Sequence, residues 1–302
     1  MKRFTVAAVQ MAAKPNDVRA NIEKAVAWLE RAVREHAAEL IVFPETITTG
    51  FSPGMSAEEL WDLVDFVPGA TTENICRAAR RHGVHVVWPT YSRGPERGVV
   101  YNTSVLIGPD GEIIGTYNKT HPFPTERLEG GGWCTPGTRA EVFETELGRI
   151  GMIICYDGDF PELVRLLAVK GAEIVTRPSA LLRSYDIWYI TNCARAYDNH
   201  VYLVGVNAIG PDAGGNYYFG HSMIVSPIAQ RLAQARGTEE IIAAELDPEP
   251  LRYVTFGAKS PMIFDHLEDR NLGVYREILR EAQSPFEPAR RISYQKTPLE
   301  ED

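Results

Sequence analysis

The stretch Gly148-Arg149-Ile150-Gly151-Met152-Ile153-Ile154-Cys155-Tyr156-Asp157-Gly158-Asp159-Phe160-Pro161-Glu162 decides how this chain reads. Residues 150–154 are an apolar run, as in a strand covered on both faces. The run ends on Cys155. Asp157, Gly158 and Asp159 make a short polar turn, and Pro161 suits the first position of a helix. A thiol therefore sits on a strand-to-helix corner, where outward-facing backbone N–H groups can receive developing negative charge. The helix start is expected to lower its pKa. A lone cysteine closing an apolar strand is also ordinary packing, so other segments must decide between the two.

On the N-terminal side, residues 4–10 read as a strand and 17–36 as an amphipathic helix with Ile22, Val26, Leu29 and Val33 on one stripe. Leu40-Ile41-Val42-Phe43 is a second doubly covered strand, and residues 71–82 read as helix. Val84-His85-Val86-Val87-Trp88 is a third such strand. Strands 99–107 and 112–118 form a hairpin across Pro109-Asp110-Gly111. A Gly- and Pro-rich loop fills 120–138. Beyond the cysteine, strand 173–177, helix 186–197, strand 201–206 and strands near 220–225 and 239–246 continue the alternation. There is no repeat and no linker-like shift. The chain reads as one α/β domain over 1–260 with helix-covered sheets, then an extension over 261–302. The extension carries a charged helix near 267–282 and a polar tail expected to pack on a neighbouring subunit.

Two more strand ends carry chemistry. Glu45 follows Phe43-Pro44, where a carboxylate is desolvated unless paired, a setting that suits a general base. Lys119, in Tyr117-Asn118-Lys119-Thr120-His121, closes the hairpin. Each alone has a bland reading, a capping carboxylate and a solvated lysine. Together with Cys155 they make a complete acyl-transfer set of base, cation and nucleophile, with the Tyr156 N–H behind the thiol. His121 reads as a loop histidine with a local partner, since no Cys/His/Asn order supports it as a base.

The chain has 302 residues, 44% of them hydrophobic, and a formal net charge of -9. That balance argues against nucleic acid and anionic membrane as partners. The N-terminus lacks a signal-peptide core, and no run approaches the ~20 apolar residues of a membrane span. Cys76, Cys134, Cys155 and Cys193 are scattered, with neither a disulfide framework nor zinc-ligand spacing. This favours a reducing cytoplasm and no metal.

The motifs around Glu45, Lys119 and Cys155, in that order, resemble the nitrilase superfamily of carbon–nitrogen hydrolases over roughly residues 4–250. The resemblance implies a four-layer αββα sandwich, homodimers or larger assemblies, no cofactor, and a Glu-Lys-Cys triad carried onto Glu45, Lys119 and Cys155. It also implies a second glutamate in the loop between lysine and cysteine. Glu129 in Leu128-Glu129-Gly130-Gly131-Gly132-Trp133 is the best match, with Glu126 as the alternative. Tyr156, Trp133, Arg177 and Phe219 are candidate substrate-pocket residues. The run from Cys155 to Glu162 is most similar to the aliphatic amidase and formamidase branch, which implies hydrolysis of a linear carboxamide to acid and ammonia. Hydrolysis of N-carbamoyl compounds is the competing expectation, nitrile hydrolysis a weaker one, and a catalytically silent binding member of the fold the non-enzymatic one.

Overall fold

A computed structural model describes residues 1–250, 263–286, 288 and 290–299. Five helices and fourteen strands are named here: β1 (Phe4–Gln10), α1 (Val18–His36), β2 (Leu40–Val42), α2 (Ala57–Leu63), α3 (Ala70–His82), β3 (His85–Arg93), β4 (Val100–Ile107), β5 (Ile113–Asn118), β6 (Val142–Thr145), β7 (Gly148–Met152), α4 (Pro161–Val169), β8 (Ile174–Ser179), α5 (Tyr185–Asn199), β9 (Tyr202–Asn207), β10 (Ile209–Pro211), β11 (Tyr217–Phe219), β12 (Met223–Val225), β13 (Arg231–Gln234) and β14 (Glu240–Leu246). They form two six-stranded sheets, ordered β14-β1-β2-β3-β4-β5 and β13-β12-β9-β8-β7-β6, and a small β10-β11 hairpin.

The layers follow from which side chains each strand sends to which face. In β1, Val6 and Ala8 enter the core between the sheets, while Ala7 and Val9 pack toward α1 and α3. Leu40 and Val42 likewise face the other sheet, and Ile41 and Phe43 face the helices. Both faces being buried, these strands are apolar without alternation. On the far side, Leu163, Val164 and Leu167 of α4 and Trp188 and Ala196 of α5 cover the second sheet. The result is the αββα sandwich.

Local signals place the helix ends. Asp17 caps α1 by accepting from the Ala20 N–H at 3.2 Å, and Ala37 ends the helix in the left-handed conformation. Pro161 opens α4 as expected. The central strands β1-β2-β3 and β7-β8-β9 run parallel within each set. Their carboxyl ends therefore gather at one edge of the sandwich, where parallel sheets place ligand sites.

The short elements α2, β6, β10, β11 and β13 carry too few residues to show periodicity and were not expected. The charged helix near 267–282 is absent from the described residues: the segment holds turns and one 3-10 turn, Leu272–Val274. Leu272, Val274, Ile278 and Leu279 stand exposed along it. Helices gain most of their stability from burying such a face, and among the described residues it stands uncovered. The 260/261 boundary lies outside the described residues. Part of the tail lies on its own chain, where the Arg127 guanidinium donates to the Ile292 carbonyl and sits 4.6 Å over the Tyr294 ring.

Candidate active site

Glu45 leaves β2 through Phe43-Pro44 and is 2% exposed. Its Oε1 accepts from Lys119 Nζ and from Asn102 Nδ2, both at 2.8 Å. Its Oε2 accepts from the Ala180 N–H at 2.7 Å. Ala180 follows β8, so this carboxylate ties the two sheets together across the site. The desolvation expected at the strand end is met by pairing.

Lys119 is fully buried at the end of β5. Its Nζ reaches Glu126 Oε2 at 2.6 Å as well as Glu45, and lies 5.3 Å over the Phe51 ring. Burial works against the charged ammonium, but the carboxylates of Glu126 and Glu45 outweigh it and hold Lys119 well above the ordinary lysine range. Asn102 of β4 also donates to Glu126 Oε1 at 3.1 Å, so one amide group bridges the two carboxylates. Burial raises the Glu126 carboxyl above its usual value, opposed by Lys119 and assisted by Glu45.

The second glutamate position is thus corrected. Glu126, not Glu129, meets the lysine; Glu129 is solvent-exposed. A 3-10 turn, Pro124–Glu126, brings Glu126 inward, and its Oε2 accepts from the Phe123 N–H at 2.8 Å. Glu129 falls in the next turn, Leu128–Gly130, which points away.

Cys155 is 6% exposed and takes a positive φ of 47°, a left-handed conformation that costs a non-glycine residue energy. The corner is held from several sides. Asp157 Oδ2 accepts from the Ile154 N–H at 2.9 Å and from the Tyr117 hydroxyl at 2.7 Å. Its Oδ1 accepts from the His121 N–H at 3.1 Å and lies 2.9 Å from His121 Nδ1. Asp157 therefore fastens the nucleophile corner to the strand end that carries Lys119. His121, stacked on Phe160 at 3.9 Å, has the local partner expected of it.

Arg177 braces the corner from β8. Its Nε donates to the Cys155 carbonyl at 2.9 Å, its Nη1 to Thr191 Oγ1 and Asn192 Oδ1, and its Nη2 meets Asp159 at 3.4 Å. Its guanidinium lies so close to the turn that a Cβ on Gly158 would fall 2.1 Å from Cζ. With its donors spent on protein and no exposure, Arg177 is a brace and not a pocket wall.

The thiol pKa is the second correction. Burial pushes Cys155 up to about 12, with the Glu45 carboxylate adding to the rise; Lys119, Arg177 and the Ala180 N–H pull the other way without offsetting it. The turn after Cys155 spans five residues, Cys155–Asp159, too short for a strong helix-terminus field. A thiol raised in this way needs an adjacent base if it is to act as a nucleophile.

The wall around this centre is apolar. Phe51, Ala180 and Tyr218 pack together with Phe123. Phe51 meets Tyr218 edge-on at 6.5 Å and Trp133 at 6.2 Å. Trp133 stands behind Phe51, donating to the Tyr91 hydroxyl at 2.8 Å, while that hydroxyl donates to the Phe51 carbonyl at 2.7 Å. Tyr156 is half-buried, edge-on to Phe123 at 5.3 Å. Phe219 packs against the second-sheet core, and its neighbour Tyr218 takes the site-facing place by strand alternation. Asn102, Phe51, Ala180 and Tyr218 were missed. Only Asn102 left a trace, as a polar residue inside a buried strand.

Among the described residues no group of three or more His, Cys, Asp or Glu side chains is disposed to hold a metal ion, and no helix is long and apolar enough to cross a membrane.

Comparison with known proteins identifies the family. Residues 5–254 match the carbon-nitrogen hydrolase family model. The chain is 29% identical to an omega-amidase of Saccharomyces cerevisiae over 286 residues, covering 92% of this chain and 96% of that protein. It is 33% identical to a formamidase of Bacillus cereus, covering 82% and 74%. The crystal structure of an amidase from Nesterenkonia sp. superposes with a TM-score of 0.74 at 26% identity, covering 91% of this chain and 96% of that one. With the family model spanning most of the chain and the αββα sandwich in place, this protein belongs to the carbon–nitrogen hydrolases of the nitrilase superfamily.

Proposed function

We propose that the protein is an amidase that hydrolyses a linear carboxamide to a carboxylic acid and ammonia through a thioester on Cys155. The observation that carries this reading is the convergence of Glu45, Lys119 and Glu126 beside the Ala180 N–H and the Cys155 sulfur. Glu45 Oε1 is occupied by two donors and Oε2 by one, so Oε2 has the lone pair free to act as base. It takes the thiol proton as Cys155 Sγ attacks the amide carbon. The oxyanion forms against the Lys119 ammonium and the Tyr156 N–H, which lies in the first turn of a 3-10 segment and lacks an intrahelical acceptor. Glu45 returns the proton to the amide nitrogen, the C–N bond breaks and ammonia leaves. Glu45 then deprotonates a water that attacks the thioester carbonyl. The tetrahedral species collapses, the C–S bond breaks, and the proton returns to sulfur. Glu126 and Asn102 hold Lys119 and Glu45 in register throughout.

The amide class is supported by the relatives. Besides the omega-amidase and formamidase, a solved form of the Nesterenkonia amidase carries the acetamide moiety of fluoroacetamide on its active-site cysteine. The test is ammonia release from aliphatic carboxamides, N-carbamoyl compounds and nitriles in parallel. Carboxamides are expected to react best, and Cys155→Ala is expected to abolish turnover. Ammonia from nitriles or N-carbamoyl compounds alone would overturn the amide assignment, and turnover surviving in Cys155→Ala would overturn the mechanism.

A further inference from the structure

We propose that the Asp159–Arg183 ion pair selects the substrate class of this site, admitting amides with an uncharged acyl group and disfavouring those whose far end carries a carboxylate or an ammonium. The inference rests on the amidase reading above and specifies its substrate.

Asp159 closes the turn that begins at Cys155, and Arg183 lies three residues beyond Ala180, whose N–H serves the catalytic centre. The pair is bidentate: Arg183 Nη1 to Asp159 Oδ2 is 2.6 Å and Nη2 to Oδ1 is 3.1 Å. Both side chains are partly exposed, 29% and 21%. The Arg183 guanidinium stands 5.6 Å from the Tyr156 ring centroid and 5.7 Å from that of Phe123. Tyr156 follows the nucleophile, and Phe123 belongs to the apolar wall with Phe51, Ala180 and Tyr218. The pair thus sits where an acyl chain extending from Cys155 would pass.

An unpaired guanidinium there would be a ready carboxylate receptor, since its planar fork matches a carboxylate. This fork is already filled by Asp159. The other two arginines on the corner are committed as well. Arg177 is fully buried and spent on Cys155, Thr191, Asn192 and Asp159. Arg195 donates to the carbonyls of Gly158 at 3.1 Å and Asp159 at 3.4 Å. An anionic substrate would have either to displace Asp159 or to approach an Arg183 whose charge Asp159 already neutralises, with a like charge close by and an apolar wall beside it. A cationic substrate meets the reverse problem, because Asp159 is satisfied and Arg183 stands next to it. A neutral alkyl chain meets neither obstacle and gains contact with Phe51, Phe123 and Tyr218.

The test uses three amides of matched length: butyramide, succinamate and 3-aminopropanamide. The readout is the ratio of their kcat/KM values, in which any general loss of activity cancels. The intact protein is expected to favour butyramide by roughly 10- to 100-fold over both charged amides, the range of a charged hydrogen-bonding mismatch. Asp159→Asn frees Arg183 and is expected to raise succinamate relative to butyramide by at least about tenfold. Arg183→Met frees Asp159 and is expected to raise 3-aminopropanamide relative to butyramide instead. Two opposite shifts separate a charge effect from a loosened corner, which would move both variants alike. The inference is overturned if the intact protein prefers succinamate, or if both variants leave the ratios unchanged. Absence of turnover with every amide would sink the amidase reading and this inference together, whereas a wrong preference among amides that do turn over sinks this inference alone.

Discussion

Lys119 Nζ stands 2.6 Å from Glu126 Oε2, closer than its 2.8 Å contact with Glu45 Oε1. The lysine is therefore shared between two carboxylates, and in the mechanism we propose only Glu45 moves protons. Glu126→Gln keeps the shape and removes the charge that fixes the ammonium. Loss of one preorganised partner of an oxyanion-binding cation is expected to lower kcat by roughly 10²- to 10³-fold with a smaller change in KM. Glu129→Ala, at an exposed position, is expected to stay within about threefold of the unaltered protein. A large loss in Glu129→Ala with none in Glu126→Gln would reverse the assignment.

A thiol held near 12 sets the pH behaviour of Cys155 toward alkylation. Since its value is raised, the thiolate fraction is small at neutral pH and grows about tenfold per unit on the alkaline side. The iodoacetamide labelling rate of Cys155, read by peptide mapping, is expected to climb without a plateau through pH 10. Lys119→Met removes a group that pulls the thiol down, so it should slow labelling further at any given pH. A plateau near pH 7 would mean a preformed thiolate and no need for Glu45 as base in the first step.

Much of this centre was legible because Glu45 and Cys155 follow apolar runs that mark their own ends, and Lys119 closes a hairpin marked by its turn. The choice between Glu126 and Glu129 was not legible: both lie in one irregular loop, and what turns Glu126 inward is the Phe123 N–H at the 3-10 turn, a backbone contact without periodicity. The sign of the Cys155 shift was missed for a related reason. A helix start was weighed, whereas complete burial beside the Glu45 carboxylate dominates. Arg177 was expected at the substrate pocket, because its partner Asp159 is separated from it by eighteen residues and a crossover helix and was invisible until α4 was folded over the sheet. The long strands of both sheets were readable, but the short edge strands β6 and β13 were not, and the helix near 267–282 failed because a run of charged and apolar residues does not report the surface that must cover it.

Gly158 should tolerate no side chain. A Cβ there would meet Arg177 Cζ at 2.1 Å and Nε at 2.2 Å. Displacing Arg177 would strand a buried guanidinium and free the Cys155 carbonyl. Gly158→Ala is expected to lose about 3 kcal/mol or more of stability in urea unfolding, the scale for breaking a buried charged network. Its activity should fall more than its melting temperature suggests, because the same contact sets the corner. A variant with unchanged unfolding midpoint would show that Arg177 moves aside freely.

The outer face of the α4 and α5 layer leaves Val169 at 52% and Ile190 at 60% exposed, with Leu166, Ile187 and Tyr197 beside them in sequence on the same two helices. Apolar residues clustered on one helical layer are the pattern of an interface, since scattered exposure would need no explanation. We therefore expect a homo-oligomer built on this layer, and light scattering at micromolar concentration should return at least twice the chain mass. Ile190→Glu combined with Val169→Glu places charge where desolvation would be required and is expected to yield monomers with the sandwich intact by circular dichroism. If the unaltered chain elutes as a monomer at all concentrations tested, the α4 and α5 face is not an interface between copies of this chain.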